Sequence, residues 1–89
     1  MKDRYLEVTF HNGKPLAAYL CLPRTPGVRS AKTAKAGAGI LVDYSADGQV
    51  IGLEITAPTV VTPDQINAVL ENVGQPRIAA EELSPLAAA

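Results

Sequence analysis

Residues 39–56 read GILVDYSADGQVIGLEIT, and the reading of this stretch decides the fold. Within it, Asp43, Ser45, Asp47, Gly48, Val50 and Glu54 stand at the first, third, fifth, sixth, eighth and twelfth places of an EF-hand calcium loop. Such a loop needs a helix on each side to fix its ends. Here the flanks, Ile40-Leu41-Val42 and Val50-Ile51-Gly52-Leu53, are strand-like, so the stretch reads as a β-hairpin and calcium is not expected. Asp47-Gly48 suits a type I turn closed by a left-handed glycine. Counting Ser45 to Gly48 as a four-residue loop pairs Val42 with Ile51 and Ile40 with Leu53, gathering the large aliphatics on one face. A three-residue loop would set Ile40 against Glu54, so the four-residue register is the expected one. It places Asp43 and Glu54 near opposite ends of the paired strands, too far apart to share an ion.

Upstream, Tyr5 to Phe10 alternates with period two, with Leu6, Val8 and Phe10 on one face and Tyr5, Glu7 and Thr9 on the other. His11-Asn12-Gly13-Lys14 follows, and Asn-Gly is a strong type I′ signal because both central residues need positive φ. Pro15 to Leu22 is the returning strand. It is apolar on both faces, Leu16, Leu20 and Leu22 on one and Ala17, Tyr19 and Cys21 on the other, which asks for cover on each side. Residues 23–38, with two prolines, two glycines and four basic residues, show neither helical nor strand periodicity and read as a long loop.

Downstream, Thr62-Pro63-Asp64-Gln65 is a capping box with Pro at the first helical position, and Ile66, Val69, Leu70 and Val73 follow at helical spacing until Gly74. The expected architecture is α+β: an antiparallel sheet of about four strands made from two hairpins, with a helix over Pro63–Val73 packed on one face. Residues 1–75 form the domain; residues 76–89 are expected to be a partly flexible tail with one short turn around Ile78 to Leu83 and small residues that offer little cover.

The 89 residues are 47% hydrophobic, yet Trp is absent and Tyr and Phe number three and one, so the core of this single domain is small. Export is not expected, since residues 1–4 run straight into a strand pattern without a signal-peptide apolar core, and no apolar run is long enough to span a bilayer. Cys21 is the only cysteine, which suits a reducing cytoplasm. Charge is divided: residues 1–37 hold seven Lys or Arg against two acids, and residues 38–89 hold one against seven.

The stretch from Gly39 to Ile55, together with AAYLCL at residues 17–22, resembles a small bacterial family catalogued as domain of unknown function 2283. That family has a similar strand followed by a hairpin in which Gly39, Asp43, Tyr44, Asp47, Gly48, Gly52 and Glu54 all find counterparts. The sequence departs from the family in its more apolar first hairpin, in Ser45 where an acid is common, and in its C-terminal helix and tail. The resemblance implies a compact β-rich fold and a cytoplasmic setting, without an established activity; some members are similar in genomic setting to antitoxin partners of small toxins, which points to a protein-binding role.

Single side chains give little chemistry. His11 reads as an exposed turn residue and Cys21 as a buried thiol; one His and one Cys assemble neither a catalytic triad nor a zinc site. Gly37 and Gly39 run from loop into strand and form no phosphate-binding fingerprint. Asp43 and Glu54 read as turn stabilisation and edge protection. Arg24, Arg29, Lys32 and Lys35 form a candidate interaction loop for phosphates, although the absence of interleaved aromatics and a pI of about 5.7 argue against nucleic acid. No catalytic, metal or cofactor residue is assigned. The expected function is that of a non-enzymatic cytoplasmic interaction module, homodimeric through a face carrying Leu16, Leu20 and Leu22, with a protein partner. The alternative is a nucleic-acid accessory protein that uses the basic loop.

Overall fold

The computed structural model describes residues 4–23 and 27–87. Five strands form one antiparallel sheet: β1 (Tyr5–His11), β2 (Lys14–Cys21), β3 (Lys32–Gly37), β4 (Ile40–Tyr44) and β5 (Val50–Ile55), in the spatial order β1-β2-β5-β4-β3. Helix α1 (Pro63–Asn72) and a 3-10 helix (Ala80–Ala87) close one side. The class is α+β as expected, with one strand more than the two hairpins supply.

That strand is β3. Its sequence, KTAKAG, has no apolar alternation to reveal it, and it forms because the free edge of β4 offers a ladder of unpaired backbone groups. Its exposed Lys32 and Lys35 suit an edge. Residues 32–37 therefore belong to the sheet and not to a loop.

The β4–β5 hairpin differs from the expected register. The Gly48 N–H donates to the Ser45 carbonyl at 3.0 Å, with Gly48 at φ 89°, and the Ser45 N–H donates to the Gln49 carbonyl at 2.8 Å. The turn thus has three residues, 46–48. A β-bulge at Ile51 then shifts the pairing by one, so that Tyr44 faces Val50 but Asp43 faces Gly52, Val42 faces Leu53 and Ile40 faces Ile55. The aliphatics meet after all, through a bulge that restores what the short turn would have misaligned.

In the first hairpin Asn12 and Gly13 both have positive φ, 53° and 78°, as the Asn-Gly signal requires. A second bulge lies opposite Thr9 and Phe10, where Leu16 is the extra residue beside Pro15, which has no N–H to give to a ladder. Leu16 is consequently 58% exposed, whereas Leu20 and Leu22 are fully buried. The three leucines do not form a shared outer face.

Leu20 and Leu22 join Ala18, Ile40, Val42, Leu53 and Ile55 from the sheet, Val61, Ile66, Val69 and Leu70 from α1 and its approach, and Ile78, Leu83 and Leu86 beyond it. The segment after α1 therefore supplies large side chains to the core, contrary to the little cover expected of it. It is held in place by polar contacts. The Asn67 side chain donates to the Ile78 carbonyl and accepts from the Ile78 N–H, and the Arg4 guanidinium donates to the carbonyls of Pro76 and Arg77. Helix α1 has the expected capping box, Thr62 with Gln65. It ends at Gly74 with Gly74 N–H to Glu71 and Gln75 N–H to Leu70, the bonding of a Schellman cap.

Candidate functional site

Strand alternation gives the sheet face away from α1 two rows of side chains that cross the strands. One runs Glu7, Tyr19, Glu54, Leu41, Lys35; the other runs Tyr5, Cys21, Gly52, Asp43, Thr33. The rows meet at Gly52. A Cβ there would collide with the hydroxyl end of the Tyr19 ring, so the missing side chain lets Tyr19 lie across β5 and donate its hydroxyl to Asp43 Oδ2 at 2.9 Å. The Thr33 hydroxyl donates to Asp43 Oδ1 at 2.6 Å. Both carboxylate oxygens of a buried Asp43 are thus engaged, one from each side of the β4–β5 hairpin.

Glu54 adjoins this group. Loss of solvation raises its pKa above the ordinary glutamate range, and the neighbouring Asp43 raises it further through charge repulsion and a hydrogen bond. Asp43 and Glu54 are therefore close neighbours in the middle of the sheet, not separated groups at its ends or guards of its edge. The bulge at Ile51 brings them together by setting Asp43 opposite Gly52 and Glu54 opposite Leu41. At the turn, Ser45 donates to Asp47, and this bond with one from the Gln49 backbone lowers the Asp47 pKa. The Ser45 hydroxyl oxygen also accepts from the Gln49 N–H at 3.0 Å. The residues of the calcium-loop pattern thus lie on β4, the turn and β5, with Ser45 and Asp47 bonded within the turn and Asp43 bonded across to β2 and β3.

Cys21 is buried, with its Sγ directed at Glu7 Oε1 at 4.0 Å, and His11 is exposed at the first turn. Of the four basic residues expected to act together, Arg24 lies outside the described residues. Arg29 is exposed before β3, and Lys32 and Lys35 fall on opposite faces of that strand, Lys32 opposite Tyr44 and Lys35 opposite Leu41. Tyr19, Thr33 and Gly52 join the acidic pair without having been singled out as site residues. The signal for them was Gly52, a glycine inside an aliphatic strand, which marks a close approach.

Two other features stand out. Between α1 and β3 a groove of about 260 Å³ is lined by Ala34, Ala36, Val42, Val69 and Val73, with Lys35, Tyr44 and Asn72 as its polar side chains. At the opposite end of the sheet, pairing of β2 with β5 begins only at Ala18, so Thr9–His11 and Lys14–Ala17 extend past β5 as a two-stranded arm. The arm carries two of the largest exposed apolar side chains, Phe10 at 50% and Leu16 at 58%.

Comparison of the chain with protein-family models, with curated proteins and with solved structures gives no match. No helix among the described residues is long and apolar enough to cross a membrane.

Proposed function

We propose that this chain is a small non-enzymatic interaction module that acts through self-association and through a protein partner in the cytoplasm. The observation that carries the reading is the β1–β2 arm, where Phe10 and Leu16 are presented to solvent beyond the last strand that could support them. Apolar side chains held on an ordered strand, away from the core, are the raw material of an interface. The acidic group on the open face supports the same reading. Asp43 accepts from Tyr19 and Thr33 and shares a hydrogen bond with Glu54, bonding that ties β2, β3, β4 and β5 together across this face and orders the sheet.

The resemblance of residues 17–22 and 39–55 to domain of unknown function 2283 supports a cytoplasmic, antitoxin-like role. A nucleic-acid role has less support, because Lys32 and Lys35 diverge across β3 instead of forming one basic stripe. Sedimentation velocity over a wide concentration range tests the proposal. A rise from the 9.3 kDa monomer towards twice that mass is expected, and a monomer at every concentration would overturn it.

A further inference from the structure

We infer that β1 is the self-association surface, and that two copies pair their β1 strands antiparallel about a two-fold axis at Val8, joining two five-stranded sheets into one. This rests on the self-association proposed above and names its interface.

The first ground is the contrast between the two edges of the sheet. β3 carries two exposed lysines, ends at a glycine and has a bulge, the usual protections against adding another strand. β1, YLEVTFH, has neither Lys nor Pro and a single charged residue, Glu7. Its residues Leu6 to Phe10 present an edge of roughly 17 Å. Among the described residues no backbone hydrogen bond joins Leu6 to Phe10 to any segment other than β2. Since His11 and Lys14 close a two-residue turn, antiparallel alternation directs the N–H and C=O groups of Phe10, Val8 and Leu6 away from β2.

The second ground is that the strand is complementary to itself. An axis at Val8, the middle residue of β1, pairs all seven residues and places Leu6 opposite Phe10 of the second copy, Val8 opposite Val8, and Glu7 opposite Thr9. Leu6 and Val8 already pack against the core, so the exposed Phe10 ring of each copy would continue the other's core across the joint. An axis at Glu7 would set two carboxylates face to face and is disfavoured. A two-fold pairing also closes on itself, whereas β1 against the β3 of another copy would leave an edge free at each end and grow into filaments.

Charge placed at Thr9 tests the interface, because Thr9 is exposed, faces Ala17 within its own chain and meets Glu7 only across the proposed axis as a directly opposed partner. Thr9→Glu opposes two pairs of carboxylates and is expected to weaken the dimer about tenfold or more, while Thr9→Lys leaves it as tight or tighter. Glu7→Lys combined with Thr9→Glu should restore it. Circular dichroism on each variant verifies folding, and the Thr9→Lys and exchanged variants carry the test if Thr9→Glu alone unfolds. A wild-type monomer would overturn self-association itself. A dimer indifferent to all three variants would overturn the β1 interface and leave self-association standing, and masses growing beyond the dimer would overturn the closed pairing.

Discussion

The side-chain amide of Asn67 bonds twice to the backbone of Ile78, donating from Nδ2 to its carbonyl at 3.0 Å and accepting its N–H on Oδ1 at 2.7 Å. Asn67 is buried on α1, and the pair fixes the direction in which the chain leaves the helix to bring Leu83 and Leu86 over the sheet.

Asn67→Ala leaves both backbone groups of Ile78 unpaired in a buried setting. Chemical denaturation should show a loss of about 1–3 kcal/mol. Amide exchange at Ile78 to Leu86 should accelerate more than in the sheet, since the contact secures that segment to α1.

Leu83→Ala and Leu86→Ala probe the same closure from its apolar side. Each removes a buried side chain from the common core and should cost about 2–5 kcal/mol in denaturant unfolding. A cost near zero would mean that the 3-10 helix does not pack as described.

Gly52→Ala forces the Tyr19 ring off β5 and breaks its bond to Asp43. Crowding of this kind costs about 1–3 kcal/mol. In a Tyr19→Ala background the same substitution meets no ring, so its cost should largely vanish; a thermodynamic cycle of the four proteins measures the difference.

The raised pKa of Glu54 sets the sign of a pH dependence. Between the ordinary glutamate range and the raised value, the folded chain holds a proton that the unfolded chain has released, so stability falls as pH rises through that window. Asp47, with its lowered pKa, acts oppositely and lower, its contribution being lost as pH falls through the acidic range. Glu54→Gln should remove the first slope and raise stability at neutral pH by on the order of 0.5 kcal/mol, a small effect because Glu54 itself is only partly buried. Denaturant midpoints at several pH values check both the slope and its sign.

What the sequence discloses and what it hides divide along local and non-local lines. The Asn12-Gly13 turn, the Gly48 turn and the capped helix follow from residues adjacent in the chain, and each forms as its chemistry requires. β3 is hidden because its stabilising partner, the edge of β4, is not in its own sequence. The Ile51 bulge is hidden because a turn of three residues and one of four both satisfy local rules, and only the pairing of Ile40, Val42, Leu53 and Ile55 against the helix decides between them. That same misjudged register concealed the approach of Asp43 to Glu54. Asn67 sat in plain view as a polar residue on an apolar helical face, but its partner is a backbone group after the helix, which no side-chain periodicity reports.

The 3-10 helix touches β1 and β2, so the two ends of the described chain are brought together to complete one hydrophobic interior. The segment from Ile78 to Leu86 therefore acts as a clasp: cleavage between Gly74 and Ile78 would release Ile78, Leu83 and Leu86 together and leave the core beneath them open to water.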